Sequence, residues 1–350
     1  MGEIVTTTHQ ILDIGGSKLH AFNKTQLEKK LLWSSEPFTT LNGHVQRVLP
    51  TSIVYGDKGL EIWSRITHLP SYYQTSGEAA LFAENAKALG QWVHKDSVLI
   101  DLGCGDIRKL MPLLSELGRL QKPQTQLCAL PCITATGLWG TFDDGVNWAA
   151  QHCGAAPRLF LSLGSMFGND HFDDAVARLR WLRDTGLRTP HDMLLLTLDG
   201  TQDAAKICAS YDDASGLFTQ LIRSGFADSN RVLGRPWYRA EDWALVRRLS
   251  RNPTMHRFVL RAKRDVECPV GGVVMWKGEE IDCYEGFKYG PEEMARQFEA
   301  AGLREYARWK GPDDDIYQYL LGSDEFCASE VRDTIPESSA RKDRLETFSS

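Results

Sequence analysis

The chain has 350 residues, 42% of them hydrophobic and 25% charged, with a net charge of −6, a globular composition with room for two domains. No basic surface is on offer for phosphate, which disfavours a nucleic-acid partner, and no apolar run approaches the roughly 18 residues that cross a membrane. Eight scattered cysteines without a CxxC pair argue against a zinc or other metal cluster and read as reduced thiols.

The first 50 residues are weakly periodic. Thr25 is placed to cap a helix that begins at Gln26 and carries Leu31 and Leu32. After the Gly56–Gly59 turn, Leu60, Trp63, Ile66 and Thr67 recur at helical spacing. Thr75 or Ser76 is placed to cap a helix over 78–92, with Leu81, Ala88, Leu89 and Trp92 on one side. Between Asp96 and Asp199 the pattern becomes strand, glycine turn, helix. Apolar runs end near Gly105, Asn169 and Gly200, and a helical stretch follows over 172–181, which predicts a parallel sheet covered on both faces.

Beyond Gly200 a helix is expected over 202–210 and another after the Tyr211–Gly216 turn, with antiparallel strands over 257–263 and 271–276. Pro291 opens an amphipathic helix over 291–303, a strand over 316–322 closes the fold, and 323–350 reads as a disordered tail. The fold class is α/β. The expected divisions are 1–75, a core over 76–200, an insertion over 201–286 and a return to the core over 287–322. No secretory pattern opens the sequence, so a cytoplasmic chain is expected.

The sharpest local signal is Val98-Leu-Ile-Asp101-Leu-Gly103-Cys-Gly105, followed by Lys109. A buried strand enters a tight turn whose glycines let a ligand approach the backbone, and the next helix offers free N–H groups. In open α/β sheets ligands bind in the crevice beyond the carboxyl ends of the strands. The third glycine of a GxGxxG dinucleotide site is absent, which argues against a dehydrogenase.

Read in order, further motifs accompany this turn. They are Tyr55-Gly-Asp-Lys-Gly59, Ile66-Thr-His-Leu-Pro-Ser-Tyr72-Tyr73-Gln-Thr75, Leu138-Trp-Gly140-Thr141-Phe142-Asp143-Asp144, Leu163-Gly164-Ser-Met-Phe-Gly168-Asn169, Leu198-Asp199, Tyr211-Asp-Asp-Ala-Ser-Gly216 and Phe287-Lys288-Tyr289. Together, over about residues 45–322, they resemble the histidine-specific methyltransferase family that makes ergothioneine precursors. The Gly140–Gly145 and Tyr211–Gly216 pieces look closest to its fungal branch of dimethylallyltryptophan N-methyltransferases.

The resemblance implies a Rossmann-like class I methyltransferase core that binds S-adenosylmethionine, and a second α+β domain, built from the N-terminal segment and the insertion, that covers a small amino-acid substrate. Carried over by position, it implies cofactor contacts from Tyr72, Asp101, Gly103, Gly105 and Lys109, with Thr141 and Phe142 against the adenine. It implies that Tyr55, Asn169, Tyr211 and Tyr284 hold the substrate, with Tyr72 and Asn169 nearest the chemistry. No metal is implied, and the chain is expected to be a monomer or homodimer. The reaction implied is N-methylation of the α-amino group of an aromatic amino acid, with 4-dimethylallyltryptophan of alkaloid metabolism as one candidate. The alternatives are a histidine or tryptophan trimethyltransferase, or a homologue impaired at its cofactor site. The chemistry suits neutral donors: holding an amine about 3 Å from a methyl carbon is a positioning task.

Two departures from the family stand out. Where it has Ala-Leu-Asp, with the aspartate on the ribose hydroxyls, this chain has Ala129-Leu130-Pro131. Gly137 then follows too soon for a crossover between parallel strands, which needs a dozen residues or more. Histidine-specific members also place glutamate and serine where Tyr284 and Gly286 stand here, which favours an indole over an imidazole. Two lost charge-assisted hydrogen bonds, each worth about 1.5–3 kcal/mol, weaken binding by two or more orders of magnitude. Calorimetric titration with S-adenosylmethionine is therefore expected to give an affinity far weaker than micromolar, recovered when an Ala-Leu-Asp strand end and a crossover helix are restored. Micromolar binding by the chain as it stands would contradict this.

Overall fold

A computed structural model describes residues 11–32, 46–48, 50–94, 96–105, 107–120, 136–268, 270, 272 and 274–324. In chain order, strand β1 (Ile11–Asp13) and helix α1 (Leu19–Leu32) precede β2 (Gln46–Val48), a 3-10 turn at Thr51–Tyr55, α2 (Asp57–Ile66) and α3 (Tyr73–Gly90). The next elements are β3 (Val98–Asp101), α4 (Met111–Arg119), β4 (Gly137–Trp139), α5 (Phe142–His152), β5 (Arg158–Ser162), α6 (Phe172–Gly186) and β6 (Met193–Asp199). After them come α7 (Ala204–Tyr211), α8 (Leu217–Leu233), β7 (Trp243–Arg251), β8 (Thr254–Ala262), β9 (Val266–Glu267), β10 (Val274–Met275) and β11 (Glu280–Phe287). Helix α9 (Pro291–Ala301) and strands β12 (Leu303–Lys310) and β13 (Ile316–Ser323) complete the described chain.

The first sheet runs in the order β12-β13-β6-β5-β3. Strands β3, β5 and β6 are parallel, and β13 and β12 add an antiparallel edge. Every residue of β5 and β6 is buried, which is why both read as continuous apolar runs rather than alternating ones. Phe160, Leu194 and Leu196 face α5, α6 and α9, packing with Val146, Leu179 and Phe298. Leu159, Leu161 and Leu195 face the opposite side with Leu89 of α3 and Leu114 and Leu117 of α4. This is the expected Rossmann-like α/β layering, with helices on both faces.

The second sheet runs β2-β11-β8-β7, with β7, β8 and β11 antiparallel and β2 parallel to β11. Phe258, Leu260, Ile281 and Cys283 of this sheet share one core with Leu27 and Leu31 of α1, Ile62 and Ile66 of α2, and Phe218, Leu221 and Phe226 of α8. Two glycines allow the close approach on which that core depends. A Cβ on Gly59 would fall 1.8 Å from the Val54 carbonyl oxygen, and one on Gly225 would fall 2.7 Å from the Val54 Cα.

Several elements differ from the expectation. Helix α1 begins at Leu19, so Thr25 lies mid-helix and bonds back to the Ala21 carbonyl rather than capping. Helix α3 begins at Tyr73, ahead of Thr75 and Ser76, and its N-terminus has no side-chain cap. Thr141, expected against the adenine, stands at the cap of α5, which begins at Phe142. The antiparallel part is larger than expected: β7 and β11 join the second sheet and β12 edges the first, and each mixes charged with apolar residues, which blurs an apolar signal. The shortened stretch around Pro131, and the tail from 325 onward, lie outside the described residues. On either side of that stretch, β4 does not join β3; it pairs in parallel with β1, Leu12 opposite Leu138.

Overpacking a tight site of this kind costs about 1–3 kcal/mol. Gly225→Ala is expected to lower the thermal midpoint by that measure. Gly105→Ala, where a Cβ meets nothing within 4 Å, is expected to leave it unchanged; equal midpoints for the two variants would refute the packing account.

Candidate functional site

The loops after β3 and β5 present bare backbone at the carboxyl ends of the parallel strands. Gly103 sits at φ +83°, and a Cβ there would lie 3.0 Å from the Phe142 ring and 3.3 Å from the Met166 sulfur. Gly105 and Gly164, the latter at φ +73°, would direct a Cβ into open space. Thus the backbone is approachable at Gly105 and Gly164, while Gly103 fixes the turn beneath the first residue of α5.

Asp101 ends β3 with its Oδ1 buried and without a hydrogen-bond partner. Burial pushes its carboxyl up to about 6, against the pull of Lys109 and with the help of Glu78. Lys109 does not stand free. Its ammonium donates to Glu78 Oε2 at 2.8 Å, while Glu78 Oε1 accepts the Gly164 N–H at 2.9 Å. Glu78 is 2% exposed and thus ties the two glycine loops together from within α3. The sequence reading passed over it; a carboxylate on an otherwise apolar helix face was the available sign. Thr141 is also committed: its hydroxyl and N–H both donate to Asp144 Oδ2, and the Asp144 N–H donates back to that hydroxyl. That is a capping box, so the hydroxyl serves the helix. Phe142 lies half-buried beside Gly103, its ring 6.3 Å from that of Phe167.

A second cluster adjoins this one. Tyr55, at the end of its 3-10 turn, brings its hydroxyl 3.5 Å from that of Tyr284 on β11. Tyr72, immediately ahead of α3, packs edge-on to Trp63 at 5.6 Å and to Tyr211 at 6.4 Å. Tyr211 ends α7 and lies 6.5 Å from Tyr284, with Phe218 and Phe258 closing the group. The four predicted tyrosines therefore share one aromatic chamber. Burial pushes the Tyr55 hydroxyl up to about 12, and those of Tyr72 and Tyr284 well above their ordinary value. They are neutral donors at physiological pH.

Behind Tyr211 sits a buried charge pair. Lys288 Nζ lies 2.8 Å from Asp199 Oδ2 and donates to the Tyr211 hydroxyl at 3.0 Å. Asp199 also accepts from the Tyr73 hydroxyl at 2.7 Å and the Thr201 N–H at 3.0 Å. Burial disfavours the ammonium, but the Asp199 carboxylate outweighs it and holds Lys288 charged. His256 stacks on Tyr211 at 4.2 Å and 12°; burial, then Lys288 and Arg247, push it down to about 3, so it is neutral.

Asn169, after β5, accepts the Phe287 N–H on its Oδ1 at 2.7 Å. Its oxygen holds the end of β11, leaving the amide NH2 as the group available to a ligand. Glu285 lies 3.7 Å from His171, whereas its neighbour Tyr284 packs into the chamber, as alternation along a strand dictates. Sequence reasoning did not single out Trp63, Phe218, Phe258, His256 or Lys288 as site residues, since the aromatic residues read as ordinary core and the lysine as surface until the tertiary contacts are known. Among the described residues no group of His, Cys, Asp and Glu could hold a metal ion, and no helix is long and apolar enough to cross a membrane.

Parallel strands, glycine loops and an unpartnered carboxylate at the end of β3 define a Rossmann-like ligand-binding α/β protein. The profile described as "Histidine-specific methyltransferase, SAM-dependent" matches residues 35–323, and the chain belongs to that family. It is 27% identical over 282 residues to "Ergothioneine biosynthesis protein 1" of Neurospora crassa, covering 75% of this chain and only 32% of that longer protein. It is 26% identical over 319 residues to "4-dimethylallyltryptophan N-methyltransferase easF" of Aspergillus fumigatus, covering 83% of this chain and 94% of that protein. It is 28% identical over 345 residues to the protein of the same name from Trichophyton verrucosum, covering 89% and 96%.

The Asp101 carboxyl gives a pH signature. An acid held at about 6 in the fold, above its unfolded value near 4, binds more protons folded than unfolded across that interval. Its contribution is most favourable at low pH and is lost as pH rises through about 6. Asp101→Asn is thus expected to exceed the parent in stability at neutral pH by about 1–3 kcal/mol, with the gap closing below about pH 4. A gap that widens on acidification would refute this account.

Proposed function

We propose that the chain methylates the α-amino group of an aromatic amino acid, with an indole side chain as the best fit. The observation that carries this reading is the cluster of Tyr55, Tyr72, Tyr211 and Tyr284, linked to the glycine loops through α3, at whose N-cap position Tyr72 stands and whose Glu78 holds the Gly164 N–H. The names of its relatives support it, and 4-dimethylallyltryptophan is the substrate to test first. The elements before α3 and those from α7 to β11 serve on this reading as the substrate-binding part, and the first sheet as the cofactor-binding part.

The residues present fit S-adenosylmethionine at its amino-acid end. The open backbone at Gly105 and Gly164 admits a ligand, and the buried, unpartnered Asp101 oxygen suits its ammonium. When bound, the cofactor supplies an electrophilic methyl group on a sulfonium. The protein's own part is to hold the amine in line and to exclude water. Tyr55, Tyr72 and the Asn169 amide offer hydrogen bonds to the amine and carboxylate without adding a net charge to repel the sulfonium. The part-exposed rings of Tyr55, Trp63 and Tyr284 give an apolar surface for the side chain, backed by the buried Phe218 and Phe258. Histidine is a poor fit: Tyr284 and Gly286 offer no carboxylate or hydroxyl pair to grip an imidazole, and Glu285 is turned toward His171.

Mass spectrometry of products from tryptophan, 4-dimethylallyltryptophan and histidine, at millimolar cofactor to fill a weakened ribose site, tests the reading. Transfer to histidine alone would overturn it. Asn169→Asp keeps the acceptor for the Phe287 N–H but replaces the NH2 donor with a charged oxygen. It is expected to raise the amino-acid KM at least about tenfold, or about 1.4 kcal/mol, with cofactor affinity unchanged. A loss of cofactor affinity instead would reassign Asn169.

A further inference from the structure

Lys288 is not explained by binding or chemistry described so far, although it is 3% exposed and sits between the two sheets. An ammonium has three N–H donors and no acceptor. Toward Lys288, at 3.0 Å, the Tyr211 oxygen can therefore only accept, and the single tyrosine proton must point elsewhere. The ring is locked by the His256 stack on one side and by edge contacts with Tyr72 and Phe218. Gly286 completes the seat. A Cβ there would lie 2.8 Å from the Tyr211 hydroxyl and 3.8 Å from Lys288 Nζ, so the missing side chain is what lets the hydroxyl settle against β11.

We infer that Lys288, fixed by Asp199, and Gly286 are positioning residues that turn the Tyr211 hydroxyl into an obligate donor to the carboxylate of the bound amino acid. This rests on the aromatic amino-acid reading above and on the substrate contact that the family resemblance implies for Tyr211, and adds the residues that orient its hydroxyl. Accepting from a cation also polarises the O–H and strengthens it as a donor. Asp199 balances the lysine charge, so the carboxylate is read by a neutral unit and the sulfonium meets no net positive field.

The test compares tryptophan with tryptamine, which lacks the carboxylate, by calorimetric titration of the full chain. The parent is expected to prefer tryptophan by about tenfold or more, as for a hydrogen bond to a charged group. Lys288→Met, Tyr211→Phe and Gly286→Ala are each expected to bring the ratio near one while tryptamine binding persists. A merely structural role for Lys288 would weaken both ligands alike and keep the ratio, and that outcome overturns the inference. Lys288→Met/Asp199→Asn removes the uncompensated charge and is scored in the same way where the single variant does not fold. A parent that binds both ligands equally overturns this inference alone; a parent that binds neither overturns the aromatic reading and this inference with it.

Discussion

The arrangement of the site depends on the ion pair between Asp199, at the carboxyl end of β6, and Lys288, just beyond β11. It joins the end of one sheet to the end of the other. Such a pair is a poor source of net stability, since burying both charges costs about as much as their attraction returns. What it enforces is geometry. Removing one partner leaves a buried charge at a cost of about 3–5 kcal/mol, so both sheets are held where the pair is satisfied. The Tyr73 hydroxyl and the Thr201 N–H take up the remaining oxygen capacity of Asp199, and Tyr211 takes a donor of Lys288. The aromatic chamber is therefore positioned from behind by a polar network, not only by its own packing.

Glu78 plays the corresponding part on the cofactor side. One carboxylate holds Lys109 from the loop after β3 and the Gly164 N–H from the loop after β5. Tyr72 lies six residues ahead of it at the start of the same helix, so α3 carries both the chamber wall and the stitch that shapes the glycine loops. Beyond β3 the sheet has no further strand among the described residues. Strand β4, which follows the shortened stretch, pairs with β1 instead. Family membership and this open edge coexist: the glycine loops after β3 and β5 and the tyrosine cluster are in place, while the stretch that precedes β4 lies outside the described residues.

The sequence alone determined the parallel core, because β5 and β6 are buried on both faces and their central residues are almost all apolar. It also pointed to the loops where the backbone is bare, since glycines stand between strand and helix there, and ordered motifs brought Tyr55, Tyr72, Asn169, Tyr211 and Tyr284 to notice. Only the tertiary structure decided what these residues do to one another. That Thr141 spends its hydroxyl on a helix cap, that Lys109 is held by Glu78, and that Asn169 clasps β11 are contacts between residues distant in sequence or committed locally in ways composition does not reveal. The charged strands β7, β11 and β12 were hidden because charged residues such as Arg248, Glu280, Asp282 and Arg308 break up their apolar runs. Lys288 was hidden for the opposite reason. A lysine in a sequence reads as surface, and only the fold, by setting a buried carboxylate 2.8 Å away, makes it an interior charge.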